Sequence, residues 1–322
     1  MHRAHIVIAG IVLSAALTSA IFLGSDAHQV EAALFRALPE LEAEAELLRI
    51  SDAEGPEAAW RFLKRALMSD GSLMPSANDS HELAHVLGRD IYRRLGEDGI
   101  EVCDQSFTYG CYHGFVRALF EEMHESPAIA LVCEKAPNYG GCLHGFGHAL
   151  GSIEGDLAPA LRTCDALFEK FTFGCWEGVF MEFVKTFSPS RGSDWWQVCD
   201  SVADKYREQC AKSLPGRMLD ATPTAVAEFC LRGATFTLQS ACADAFGADV
   251  VHRAQGVVEN IEQSCSLLAP SLQFYCYSSA ARLVIQRAQD DGVEVAYRLC
   301  GNVPDRIADC HQAIKDVQES LR

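Results

Sequence analysis

Fourteen cysteines fall into seven consecutive pairs along the chain: Cys103 and Cys111, Cys133 and Cys142, Cys164 and Cys175, Cys199 and Cys210, Cys230 and Cys242, Cys265 and Cys276, Cys300 and Cys310. Between the members of each pair lie 7, 8, 10, 10, 11, 10 and 9 residues, and no Cys-x-x-Cys occurs. That spacing argues against zinc ribbons, thioredoxin-type redox motifs and haem attached through Cys-x-x-Cys-His. An even, regular set predicts disulfides, and pairing in chain order needs the fewest assumptions. Successive first cysteines stand 30, 31, 35, 31, 35 and 35 residues apart, a period that belongs to helical-hairpin solenoids. The expected fold is therefore all-α: a right-handed array of about seven helical hairpins, each stapled by its own disulfide. Each short loop closed in this way contributes roughly 2 to 3 kcal/mol by restricting the unfolded chain.

Local signals agree with helices between the cysteines. Ser126-Pro127 and Thr222-Pro223 each place a hydroxyl cap before a proline at the first helical position. Aligned on the second cysteine, the residue three positions on is always small: Gly114, Gly145, Gly178, Ser213, Ala245, Ser279, Ala313. The next is always apolar: Phe115, Phe146, Val179, Leu214, Phe246, Ala280, Ile314. A small column beside an apolar one describes a helix face that packs closely on its neighbours. "FSPSRGSD" and "SLPGRMLDATPT" read as longer breaks, and Trp195 and Trp196 as hairpin packing rather than a ligand platform.

The amino terminus has a different character. Arg3 precedes an uncharged run from Ile6 to Gly24, closed by Asp26, which reads as an export signal for residues 1–27: either a cleaved signal peptide or an anchor using 6–24 to cross a membrane. Both place the remainder outside the cytoplasm, periplasmic or secreted, in keeping with the cysteines. Residues 28–54 read as an acidic amphipathic helix and 55–322 as the repeat domain, with 78–185 holding the candidate site and 186–322 the remaining repeats. A formal charge of −17 excludes nucleic acid as a main partner, since that affinity needs basic residues against phosphates.

Over Ala128 to Gly178 the pattern A-x-x-x-C … G-C-x-x-G resembles tetratricopeptide-type helical-hairpin repeats and their cysteine-rich Sel1-like relatives. The resemblance implies architecture and carries no activity.

One column changes character along the array. Two residues after the second cysteine come His113, His144 and Glu177, then Lys212, Asp244, Ser278 and Gln312. His148 lies four residues after His144, on the same helical face. "SHELAHVLGRDIY" supplies a similar pair, His81 and His85, around Glu82. Any one of these histidines alone suits a hydrogen-bonded core position; together, in adjacent repeats, His81, His85, His113, His144, His148 and Glu177 form a candidate metal-ligand set, with Glu182 behind them. Zinc is the first expectation, and iron, copper or manganese also accept imidazole with carboxylate. Glu121 and Glu122 read as a solvated helix end.

"HELAHVLG" is similar to the His-Glu-x-x-His-x-x-Gly start of zinc peptidases, through Gly88. It departs from them at Ile91, where the metzincins carry a third histidine, and the downstream glutamate motif of the gluzincins is absent. The resemblance implies a metal held by His81 and His85 with a third ligand from another repeat, and Glu82 as the general base that activates water. Three functions remain open: a zinc-dependent hydrolase, a non-catalytic scaffold or metal store binding a protein partner on the repeat surface, and an iron or copper oxidase or oxygenase.

Overall fold

The computed structural model describes residues 26–68, 77–123, 126–168, 172–186, 195–218, 220–254, 257–288 and 292–320. The expected export segment at 6–24 lies outside them. Among the described residues there are 17 α-helices and no strand. No helix among them is long and apolar enough to cross a membrane.

The chain divides into two compact units after residue 70. The first contains α1 (Asp26–Arg36), α2 (Glu40–Glu54) and α3 (Pro56–Met68). The single acidic helix expected over 28–54 is thus two helices. They part at Pro39, which lacks an N–H and disfavours helical geometry in the residue before it. Phe35 packs edge-on against Phe62 at 5.1 Å, and Leu47 and Leu63 are fully buried. α3 clusters with α1 and α2, so the boundary between units falls beyond the expected one at 54/55.

The second unit begins with α4 (Ala77–Leu95), followed by a 3₁₀ segment (Gly96–Val102) and α5 (Gly110–Met123). Then come the hairpins α6/α7 (Ser126–Cys133, Tyr139–Glu154), α8/α9 (Leu157–Leu167, Thr172–Thr186), α10/α11 (Trp196–Asp200, Asp204–Ser213) and α12/α13 (Pro223–Leu231, Phe236–Arg253). The last two are α14/α15 (Val258–Ser266, Pro270–Ala288) and α16/α17 (Val293–Cys300, Ile307–Ser320). All seven disulfides form in chain order, closing separations of 8 to 12 residues, and every one of the fourteen sulfurs belongs to a fully buried residue. Seven such bonds point to an oxidising, extracytoplasmic environment.

Side-chain caps set several starts: Asn138 accepts from Gly141 N at 2.7 Å, Asp156 from Ala158 N at 3.2 Å and Thr222 from Ala225 N at 3.2 Å. From α4 onward the longer helices stack in series, α4 on α5, α5 on α7, then α9, α11, α13, α15 and α17. The apolar column is the spine of this stack, because all seven of its residues, Phe115 through Ile314, are completely buried. Trp196 stacks on Phe229 with ring centroids 5.1 Å apart and donates its indole N–H to the Phe229 carbonyl at 3.1 Å, so it serves hairpin packing.

Candidate metal centre

The small column decides how close the histidine-bearing helices come. A Cβ placed on Gly114 would sit 2.0 Å from the His85 carbonyl oxygen, and one on Gly178 would sit 2.1 Å from the His144 carbonyl oxygen. Only a missing side chain allows α5 to lie against α4, and α9 against α7, with backbone in contact. The imidazole arm is short, and this proximity lets imidazoles from separate helices meet.

They do meet. His113, on α5, is at the middle: its ring centroid is 5.1 Å from both His81 and His85 of α4, and 5.0 and 4.4 Å from His144 and His148 of α7. The described residues contain two groups that can hold a metal ion, His81 with His85 and His113, and His113 with His144 and His148; in each, the ligand atoms lie within 4.8 Å of one another. His113 and His144 are buried, and His81, His85 and His148 are half-buried.

Groups outside the ring cluster orient these side chains. His81 donates from Nδ1 to the Phe107 carbonyl at 2.7 Å, and His148 Nδ1 faces Glu182 Oε2 at 3.1 Å. His85 Nδ1 is 3.4 Å from Glu82 Oε2. A ring proton fixed on Nδ1 leaves the Nε2 lone pair for a ligand role, the usual arrangement around metal-binding histidines. The Phe107 carbonyl reaches His81 from an unusual turn, since Phe107, Thr108 and Tyr109 all have left-handed backbones, with φ of 54°, 55° and 64°. Non-glycine residues disfavour that conformation by about 1 to 2 kcal/mol each, and such outliers gather where surrounding structure holds a functional group in place.

Electrostatics keep the cluster receptive to a cation. Burial, followed by the proximity of His148, His144, His81 and His85, holds His113 well below the ordinary histidine pKa, so it is neutral at physiological pH. Glu177 Oε2 lies 3.5 Å from His144 Nδ1, and that nitrogen is buried without a hydrogen bond among the described residues. Enclosure opposes ionisation of Glu177, but His144, Lys212 and His148 outweigh it and the carboxyl stays below its usual range. Its side chain remains 42% exposed, so solvent reaches it.

All six expected ligands therefore lie on three consecutive contacts of the stack, with Glu182 directly behind His148. Glu82 stands by the Nδ1 edge of His85, while the Nε2 of that ring meets His113. Glu122 is exposed and accepts from the Tyr92 hydroxyl at 3.0 Å; with Glu121, Arg93 and Ala118 it borders a cleft of about 310 Å³.

Sequence reasoning passed over one participant. The Phe107 carbonyl carries no signal in the sequence, because Phe107, Thr108 and Tyr109 are not residue types that favour left-handed backbone. His252, on α13, is a separate buried histidine outside the cluster: burial, Arg287 and His81 together lower it to a pKa of about 3, and the Arg287 guanidinium lies 2.7 Å from its ring nitrogens. Comparison with protein-family models, curated proteins and solved structures gives no match for this chain.

Proposed function

We propose that this is an exported metalloprotein whose histidine cluster binds a divalent cation, zinc in the first instance, and uses it for hydrolysis. The observation that carries the reading is the convergence of five imidazoles from three helices, with the Nδ1 atoms of His81, His85 and His148 turned to a carbonyl or a carboxylate and the Nε2 of His85 meeting His113. Three protein ligands around zinc leave a fourth position for water or substrate, as catalytic zinc sites require. A bound zinc ion supplies a Lewis acid that brings the pKa of a ligated water near neutrality. Glu177, 42% exposed and 3.5 Å from His144, is a carboxylate placed to accept a proton from a bound water on that side of the cluster. Glu82, beside His85 Nδ1, orients that ligand, a narrower task than the general base its place in His-Glu-x-x-His implies.

The test is elemental analysis of protein purified through an oxidising compartment, followed by hydrolytic assays on peptide, ester and phosphoester substrates before and after chelation. Stoichiometric zinc, with a hydrolytic activity lost to chelator and restored by zinc, is the expected result. Protein that stays metal-free after incubation with zinc would leave the scaffold reading in its place. A coloured, redox-active metal would move the chemistry to the oxidase class.

A further inference from the structure

We infer that the centre is dinuclear, with two metal ions on either side of His113 and each ring nitrogen of that residue serving a different ion. This rests on the metal-centre reading and goes beyond it in number and connectivity. The two histidine groups share His113 and nothing else. The two nitrogens of an imidazole point away from one another in the ring plane, so a single ion cannot use both.

On one side, His113 Nδ1 is 3.1 Å from His85 Nε2. Two nitrogens bound to one tetrahedral ion at about 2.05 Å lie about 3.3 Å apart, so this pair already has the spacing of two ligands on a common ion. His81 completes that group, its Nδ1 engaged by the Phe107 carbonyl. On the other side, His113 Nε2 is buried and has no hydrogen-bond partner among the described residues. The rings of His148 and His144 stand at 4.4 and 5.0 Å from the His113 ring, and Glu177 is beside His144.

His113 also differs from its neighbours in what surrounds it. His81, His85 and His148 each turn one nitrogen to an oxygen outside the cluster, and His144 has Glu177 at 3.5 Å. His113, only 7% exposed, has four imidazoles within ring contact and has no oxygen partner among the described residues. A single-ion site would give the central histidine an outer acceptor as it does the others. When both nitrogens are ligands, the remaining ring proton leaves to solvent. The resulting anionic bridge, with the carboxylates of Glu82, Glu177 and Glu182 close by, offsets much of the charge of two divalent ions.

Titration of metal-free protein with Zn²⁺ alone, read by calorimetry and elemental analysis, distinguishes the possibilities. Two equivalents per chain are expected, with His81→Ala and His148→Ala each reduced to one because each spares the opposite group. Loading with Cu²⁺ alone adds a spectroscopic readout. At two equivalents the paramagnetic resonance intensity should fall well below that of two isolated ions, through coupling across the shared ring, and His113→Ala should abolish that coupling. One equivalent in the parent protein, removed entirely by either His81→Ala or His148→Ala, overturns the dinuclear inference and leaves the metal centre standing. No bound metal overturns both.

Discussion

The sharpest test of how the fold makes the site uses no ligand residue. Gly114→Ala adds one methyl group on α5 at a place where that carbon would stand 2.0 Å from the His85 carbonyl oxygen, whereas real Cβ contacts do not fall below 3.0 Å. The atom in the way is backbone, so no rotamer change relieves it and α4 and α5 must separate by about 1 Å at this crossing. Overpacking of this kind costs about 1 to 3 kcal/mol. The same displacement acts on the residue next door, because it opens the 3.1 Å gap between His85 Nε2 and His113 Nδ1 to about 4 Å, beyond the edge of about 3.3 Å that a tetrahedral ion needs. Zinc affinity should fall by at least the roughly 10- to 100-fold seen when ligand-orienting groups are lost. Competition with a chromophoric chelator measures the affinity, and thermal melting with and without zinc measures the stability. Gly216→Ala is the control, since Gly216 is exposed and a methyl group there meets nothing within 4 Å. A Gly114→Ala protein with parental zinc affinity and melting temperature would show that backbone contact between α4 and α5 does not build the site.

Glu182→Ala removes the carboxylate that faces His148 Nδ1 at 3.1 Å and should weaken zinc binding about 10- to 100-fold with little change in melting of the metal-free protein; equal affinity would deny Glu182 its orienting role. Replacing Cys230 and Cys242 together by alanine opens a loop of sequence separation 12 and should cost about 3 kcal/mol in denaturant unfolding, and a parental midpoint would count against the staples. His252 has a folded pKa of about 3 against about 6.5 in the unfolded chain, so it is neutral in both states above pH 6.5 and adds no pH dependence there. Below that, the unfolded chain takes up a proton that the fold refuses, and stability should decline as pH drops from about 6.5 toward 3, by up to about 1.4 kcal/mol per unit; His252→Gln should flatten that slope in urea titrations at successive pH values.

Much of the architecture was legible because it is written in a repeated column. Seven cysteine pairs at a near-constant period specify the hairpins, and the apolar residue four places after each second cysteine, from Phe115 to Ile314, marks the buried spine with no exception. The break of the amino-terminal helix at Pro39 was less legible, since the acidic periodicity runs on either side of it while proline interrupts the backbone. The candidate ligands were legible for the same reason as the spine: two places after the cysteine, a column turns from Lys212 and its successors to His113, His144 and Glu177. What a column cannot carry is the reach across repeats. The Phe107 carbonyl arrives through left-handed backbone at three non-glycine residues, which no column of the repeat marks. Number was illegible too, since a list of ligands does not say which nitrogen faces which neighbour. The placement of the smallest residues joins the two levels. The column is glycine at Gly114, Gly145 and Gly178, where the ligands are, and serine or alanine from Ser213 onward, where they are not. A Cβ on Gly247 of α13 would likewise sit 2.2 Å from the Cys276 carbonyl oxygen, so close backbone approach alone does not mark a site; at the crossings of Gly114 and Gly178 the same closeness lets imidazole, a short side chain, meet its counterpart from the next helix.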